Sequence, residues 1–463
     1  MTEPMDPTPE VDSRLYRSSA SEAAQQAAFT SGTVPVAVYG LGKMGLPLAS
    51  VYADVCQNVV GADIDSAVVE TINDGGCHVK REPGLPELVD ELVQEGALRA
   101  TTDPAGAASE AAVHVVIVPT PITDENEPDL SILESVLDDI GQGLSAGDLV
   151  VIECTVPPRT TTDLARPILE ETSGLEFGEF GLAFCPERTA SGRAIEDIRG
   201  AYPKVVGGVD AESTRVAKLI YHEINSEGVI PVSDARTAEA VKVFEGLYRD
   251  VNIGLANELA TMTDEIGIDV REAIDVANTQ PFCHIHDPGP GVGGHCIPFY
   301  PYFVIEPFDT PTPLLETARQ VNDGMPRYTV EKLREEFTAE GTTISDSSVL
   351  LLGLTYRPGV EEIRASPALA IAEELTEAGA DVYGVDPMLD DFGAFSLSPL
   401  TLEEVYEQSF DAVVTVTPHE DFDDIKWSEV NRTDGQLVVI DGRDTFDLAE
   451  TDHRVYTLGG SNV

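Results

Sequence analysis

Cys296 closes a run of glycines, G-P-G-V-G-G-H-C from Gly289, and the prolines of I-P-F-Y-P follow it. Glycines let a backbone approach something closely, and prolines hold it still. A cysteine held in this way either packs or acts as a nucleophile, and a nearby cation that lowers its pKa favours the second role. Cys283, His284, His286, His295 and Cys296 fall within 14 residues, which raises the question of zinc. C-x-x-C and H-x-x-x-H spacings are missing, and Gly and Pro hold the groups apart, so no metal is expected.

A second chemistry is signalled nearer the N-terminus. Gly40, Gly42 and Gly45 have G-x-G-x-x-G spacing between an apolar strand and a helical pattern, and Asp63 stands 23 residues after Gly40. In that setting the glycines let backbone N–H groups and a helix N-terminus meet a pyrophosphate. Asp63 would bind ribose hydroxyls and repel a 2′-phosphate, which selects NAD over NADP; the alternative is a tight structural turn. Thr120 in V-P-T-P and Thr155 in E-C-T-V-P-P each follow a strand and can donate hydrogen bonds where parallel sheets bind ligands. Glu187 and Arg188, in C-P-E-R, follow another strand. Lys242, Gly246 and Arg249 recur at i, i+4 and i+7 on one helical face, as either a solvated stripe or a site for phosphate and a developing oxyanion.

The elements that must position these residues are those of an α/β protein. Strand and helix signals alternate from Val34 through Y-P-K-V-V-G-G, which predicts a parallel sheet with covering helices. From Ser233 to Gly267 one long helical pattern runs from a Ser/Asp cap to a glycine, about 50 Å at 1.5 Å per residue. Alternation then returns in S-V-L-L-L-G-L, A-D-V-Y-G-V-D-P, D-A-V-V-T-V-T-P and Q-L-V-V-I-D-G. The expected architecture is two Rossmann-like doubly wound domains joined by a long central helix. Residues 1–33 read as a disordered extension, 34–230 as an NAD-binding domain, 231–335 as a helical domain with the cysteine loop, and 336–463 as a second Rossmann-like domain.

The chain has 463 residues with 82 Asp+Glu against 28 Lys+Arg, a formal charge of -54 spread along its whole length. That charge argues against binding nucleic acid or an anionic membrane and describes a solvated, halophile-like acidic surface. No apolar run has transmembrane length, and the first 33 residues lack the apolar core of a signal peptide. The six scattered cysteines read as reduced thiols of a cytoplasmic protein.

Taken together, these stretches resemble the UDP-glucose/UDP-N-acetylmannosamine 6-dehydrogenase family. The resemblance runs from about Val34 to the C-terminus. It rests on G-x-G-x-x-G, V-P-T-P, C-T-V-P-P-R-T-T, C-P-E-R, E-A-V-K…L-Y-R-D-V-N…A-N-E-L, G-P-G-V-G-G-H-C-I-P, L-G-L-T-Y-R-P…E-E-I-R-A-S-P-A, D-P and D-G-R-D, in that order. The G-V-G-G-H-C form resembles the N-acetylated-sugar branch. The resemblance implies oxidation of a UDP-sugar C6 alcohol to a carboxylate with reduction of two NAD. Cys296 would be the nucleophile, and Lys242 would lower its pKa and stabilise oxyanions. Glu187 would stand near the water, and Thr155 near nicotinamide and water. Arg188, Arg249 and Arg357 would bind substrate together with Lys242, and Arg364 would sit near the cofactor. On this reading the glycines before Cys296 admit the sugar nucleotide, the C-terminal domain binds UDP, and a homodimer forms through the central helix. The family usually has Asn where this chain has Gly246, Asp where it has Tyr300, and often Arg where it has Phe282. Those departures bear on hydrolysis and on sugar choice. They also motivate two alternatives: the same chemistry on UDP-glucose or UDP-N-acetylglucosamine, or a paralogue that binds NAD and nucleotide sugar without turnover.

Overall fold

The computed structural model describes residues 13–433, 435–448 and 451–460, apart from the side chain of Asp346. The chain divides into two compact units. One ends at Phe244 and takes in Tyr302–Pro307; the other comprises Glu245–Pro301 and Phe308 onward.

The first unit is built on eight strands: β1 (Val36–Tyr39), β2 (Val59–Ala62), β3 (Leu98–Thr101), β4 (Val113–Val116), β5 (Leu149–Ile152), β6 (Gly181–Phe184), β7 (Lys204–Gly208) and β8 (Val229–Pro231). Their order is β3-β2-β1-β4-β5-β6-β7-β8, so the chain reverses direction across the sheet between β1 and β4. The central strands are buried on both faces, which is why they read as continuous apolar runs and not as alternating ones. Val36 and Val38 face a core shared with helices Gly45–Cys56 and Ala211–Ile224, while Ala37 and Tyr39 face one shared with Ser131–Gly143.

Two expectations fail in this unit. First, β7 runs antiparallel to β6, with Ala183 opposite Gly208. The segment between them holds only short helical turns, Ala194–Glu196 and Asp197–Ala201, and no full crossover helix, so the strand returns alongside its predecessor. Second, residues 13–33 are not a disordered extension. Leu15, Tyr16, Ala28 and Phe29 are buried, and Ser21 caps helix Glu22–Thr30. Arg14 pairs with Asp148 at 2.9 Å, and the Tyr16 hydroxyl donates to Asp210 at 2.6 Å. The averaged polarity of the segment hides four apolar anchors. Residues 1–12 of that extension lie outside the described residues.

The second unit carries a six-stranded parallel sheet and a small two-stranded pair. In chain order the strands are β9 (Ser348–Leu352), β10 (Asp381–Val385), β11 (Ser398–Pro399), β12 (Ser409–Phe410), β13 (Ala412–Thr415), β14 (Asn431–Arg432), β15 (Val438–Asp441) and β16 (Arg454–Thr457). The large sheet has the order β11-β10-β9-β13-β15-β16, again with a reversal beside its first strand, and β12 pairs with β14. The helical middle from Glu245 onward, Tyr302–Pro307 excepted, packs as part of this unit. Helix Pro313–Glu340 lies on the later part of helix Ala235–Thr261: Gly254 lets Ala318 approach, Arg319 pairs with buried Asp250 at 2.5 Å, and Asn322 binds Asn257 at 2.9 Å.

The long helix is shorter than its sequence pattern. Asp234 caps it by accepting the Thr237 N–H at 2.8 Å, and it ends at Thr261, about 40 Å on. The Thr261 hydroxyl bonds back to the Glu258 carbonyl at 2.7 Å, an alternative partner of the kind that competes with a helical ladder. Met262 breaks the run, and a short turn, Thr263–Ile266, closes on Gly267 at φ 73°.

Candidate active site

In the first unit the three glycines of the β1 turn have three different surroundings. Gly40 has φ +92°, and a Cβ there would stand 2.5 Å from the Ile117 carbonyl oxygen; a Cβ on Gly45 would overlap the Gly40 carbonyl. Gly42 is exposed and would meet nothing within 4 Å. The first glycine therefore makes the turn, the third brings the helix onto it, and the second leaves bare backbone open to a ligand, as a pyrophosphate requires. Asp63, at the end of β2, accepts the Leu41 N–H at 2.8 Å and the Asp65 N–H at 3.0 Å, which fixes its carboxylate beside the loop.

The loops after β4, β5 and β6 supply the polar groups. The Thr120 hydroxyl donates to the Thr155 carbonyl at 2.5 Å and ties two of these loops together. The Lys242 ammonium lies 3.5 Å from the Glu187 carboxylate and donates to the Glu187 carbonyl as well. Thr189 gives Glu187 both its N–H and its hydroxyl. Burial works against ionisation of Glu187, but Lys242, the Thr189 donors and Lys204 outweigh it and hold the carboxyl below its ordinary range. Arg188 lies over the Tyr202 ring at 4.9 Å and donates to the Pro203 carbonyl at 3.2 Å.

Three residues of this unit carry charge that sequence reasoning missed. Because β7 is antiparallel, its first residue, Lys204, arrives at the sheet edge where β5 and β6 end. There it meets Glu153 at 3.4 Å, and the Tyr221 hydroxyl donates to the same carboxylate. Burial alone would lower the Lys204 pKa; Glu153, Cys185 and Glu187 together more than offset it, so the amine stays charged. A lysine opening an apolar strand was the signal. Glu239, one helical turn before Lys242, accepts the N–H groups of Arg159 at 2.6 Å and Thr161 at 2.7 Å and the Thr161 hydroxyl at 2.5 Å. It fastens the segment after Thr155 to the long helix. Burial pushes its carboxyl up to about 7 against those donors.

In the second unit the Cys296 loop is braced from two sides. Gly294 donates to the Arg364 carbonyl at 2.8 Å, His295 lies 3.0 Å from Glu362, and Arg364 sits over the Phe299 ring at 5.0 Å. The glycines of this run do not stand open. A Cβ at Gly293 would come within 2.7 Å of the Tyr356 Cβ, one at Gly294 within 2.9 Å of the Tyr356 ring, and one at Gly291 within 3.0 Å of Pro367. The reading that these glycines admit a sugar nucleotide is therefore corrected: they admit the 356–367 segment and a fourth missed residue, Arg443. The Arg443 guanidinium fills the space at Gly289 and donates to the Val416 and Gly291 carbonyls at 3.3 and 3.4 Å. Burial and the neighbouring Arg271 lower its pKa to about 10. Its place in D-G-R-D, just after an apolar strand, was the available signal.

Of the remaining expected residues in this unit, Arg249 and Arg357 are exposed, the latter 6.0 Å from the Tyr356 ring. Phe282 is 90% exposed and Tyr300 is buried. Cys296 is exposed, whereas Cys56, Cys154 and Cys185 are buried and Cys77 and Cys283 half-buried. Burial pushes the Cys154 thiol up to about 12. Among the described residues no group of three His, Cys, Asp or Glu could hold a metal ion, and no helix is long and apolar enough to cross a membrane.

Comparison with known proteins accounts for both units. Residues 34–225 match the NAD binding domain of the UDP-glucose/GDP-mannose dehydrogenase family, 236–324 its central domain and 350–448 its UDP binding domain. The UDP-N-acetyl-D-mannosamine dehydrogenase of Pyrococcus horikoshii is 36% identical over 410 residues, 88% of this chain and 95% of the relative. A solved structure of UDP-D-ManNAc dehydrogenase from the same organism superposes with a TM-score of 0.84 at 32% identity, covering 93% of this chain and all of that one. The NDP-N-acetyl-D-galactosaminuronic acid dehydrogenase of Ralstonia nicotianae is 37% identical over 349 residues, 74% of this chain and 80% of the relative.

Proposed function

On the premise that the chain belongs to the UDP-glucose/GDP-mannose dehydrogenase family and is an NAD-dependent UDP-sugar dehydrogenase, we propose that it converts UDP-N-acetyl-D-mannosamine to UDP-N-acetyl-D-mannosaminuronate. The C6 alcohol gives a hydride to NAD and a proton to solvent, leaving an aldehyde. The Cys296 thiol adds to that aldehyde, and the resulting hemithioacetal gives a second hydride to a second NAD. Water then cleaves the thioester, which returns the thiol and releases the carboxylate.

The observation that carries this reading is the contrast among the thiols. Of six, only Cys296 is exposed, and it is the one on a loop braced by Gly294, His295 and Phe299. Glu187, held ionised, is the group suited to take a proton from the hydrolytic water. Lys242 supplies the charge for developing oxyanions, and Thr155 presents its hydroxyl to nicotinamide and water. Gly40, Gly42, Gly45, Asp63, Thr120 and Arg364 serve NAD; Arg188, Arg249 and Arg357 serve the sugar nucleotide. Tyr248 and Leu255, exposed and seven residues apart along one helix, present apolar surface that supports a homodimer through it. On this proposal the reaction runs in the cytoplasm and feeds surface polysaccharide.

The test is the ratio of NADH formed to sugar consumed, in molar KCl with a panel of UDP-sugars. Two NADH per UDP-N-acetylmannosamine is expected. A preference for UDP-glucose or UDP-N-acetylglucosamine would refute the substrate, and no NADH with any UDP-sugar would leave the non-catalytic paralogue.

A further inference from the structure

Two unrelated-looking residues of the second unit turn out to be one feature. Gly246 is buried on the long helix, and a Cβ there would lie 2.8 and 2.9 Å from the Tyr300 Cγ and Cβ and closer still to the edge of its ring. The clash involves the stem of the tyrosine and not only its far end, so rotating the ring does not relieve it. Tyr300 in turn is 7% exposed, and its N–H donates to the Cys296 carbonyl at 2.9 Å, one turn back; Phe299 donates to the same carbonyl at 3.1 Å. The ring is thus pressed on bare helix backbone at one end of a single tight turn whose other end is the thiol. Pro298 and Pro301 stiffen that turn.

We propose that Tyr300 is the positioning residue of Cys296: its ring, seated on Gly246, sets where the turn places the sulfur, and Gly246 is required because any side chain would unseat it. The role belongs to the ring and not to the hydroxyl. It rests on the reading of Cys296 as the nucleophile, because only then does the placement matter to turnover. The kinetic signature is a fall in kcat without a rise in the KM for NAD, whose glycine loop and Asp63 belong to the other unit.

Four variants test this: Tyr300→Phe, Tyr300→Ala, Gly246→Ala and the double change Gly246→Ala with Tyr300→Ala. Each is measured for NADH formation, for the KM of NAD, and for the rate at which iodoacetamide alkylates Cys296 without substrate, after melting curves confirm folding. Tyr300→Phe is expected to keep kcat within about twofold. Tyr300→Ala and Gly246→Ala should each lower kcat by about 10²-fold, the effect of a reacting group displaced by about 1 Å. Both should change the alkylation rate several-fold at unchanged KM for NAD, and the double change should be no worse than either alone. The proposal is overturned if Tyr300→Phe loses as much as Tyr300→Ala, if Gly246→Ala keeps full activity, or if the two losses multiply. Should Gly246→Ala not fold, the Phe and Ala variants at position 300 still decide. Should the unaltered enzyme make no NADH, the proposed function fails by itself, and the alkylation rates still report whether Tyr300 places the thiol.

Discussion

Glu239 offers a sharp test of the first unit because its carboxyl is buried among backbone and hydroxyl donors. Its ordinary value is 4.5, and burial raises it to about 7, aided by Asp163 and opposed by the donors of Arg159 and Thr161. An acid whose pKa rises on folding holds its proton more tightly folded than unfolded. Between 4.5 and about 7 the folded chain therefore carries the extra proton, and the stability due to Glu239 falls as pH rises through that window. At about 1.4 kcal/mol per tenfold, the ionised group costs about 3 kcal/mol on the alkaline side. Glu239→Gln keeps the size and removes the titration. Relative to the unaltered protein, the variant should gain about 5–10 °C in melting temperature between pH 5 and pH 8, a change of about 2.5 kcal/mol at roughly 2–4 °C per kcal/mol for a domain of this size. The assay is thermal unfolding in molar KCl across that range. Only the difference between the two proteins counts, since every acidic side chain among the 82 other than Glu239 titrates in both. If the two melting curves shift in parallel within about 2 °C, Glu239 is not titrating there and the reasoning fails.

Three other outcomes are expected. Cys296→Ala should abolish formation of the acid while leaving NAD affinity within about twofold, because the glycine loop and Asp63 belong to the other unit; uronate made at a comparable rate would remove Cys296 from the chemistry. Gly42→Val should leave the melting temperature unchanged and raise the KM for NAD at least roughly tenfold, since its side chain meets only open space where phosphate must approach, whereas Gly45→Ala, driven into the Gly40 carbonyl, should lower the melting temperature. With a charge of -54, the protein should melt at progressively higher temperature as KCl rises from about 0.1 M to 1 M and the screening length shrinks from about 10 to 3 Å; a flat response would refute the halophilic reading.

Much of the candidate site was legible because it is written in local sequence. The glycine spacing, Asp63 after β2, and Thr155 and Glu187 after their strands all follow from strand–turn–helix order. What escaped depends on packing between distant segments. Lys204 looks like one more surface lysine until β7 reverses and carries it to Glu153. Glu239 looks like one of many helical acids until the loop after Thr155 closes on it. The glycines before Cys296 announced a close approach correctly, but not what approaches: Tyr356, Pro367 and Arg443 do. The departures Gly246 and Tyr300, which look independent in sequence, fit each other in space.

The two sheets show why one motif marks a cofactor site and its counterpart does not. Both first strands are followed by Gly-Leu, with Gly40 at φ +92° and Gly353 at φ +82°. In both, a carboxylate at the end of the next strand holds the following N–H: Asp63 takes Leu41 at 2.8 Å, and Asp386 takes Leu354 at 2.6 Å. The halves diverge at the next residue. Gly42 is exposed backbone, whereas Thr355 is buried, its N–H and hydroxyl given to Asp386 at 2.8 and 3.0 Å and its oxygen 3.0 Å from His419. Donors already spent on a carboxylate cannot also cradle a pyrophosphate. The same turn therefore leaves backbone open to a dinucleotide in the first unit and braces its own sheet in the second.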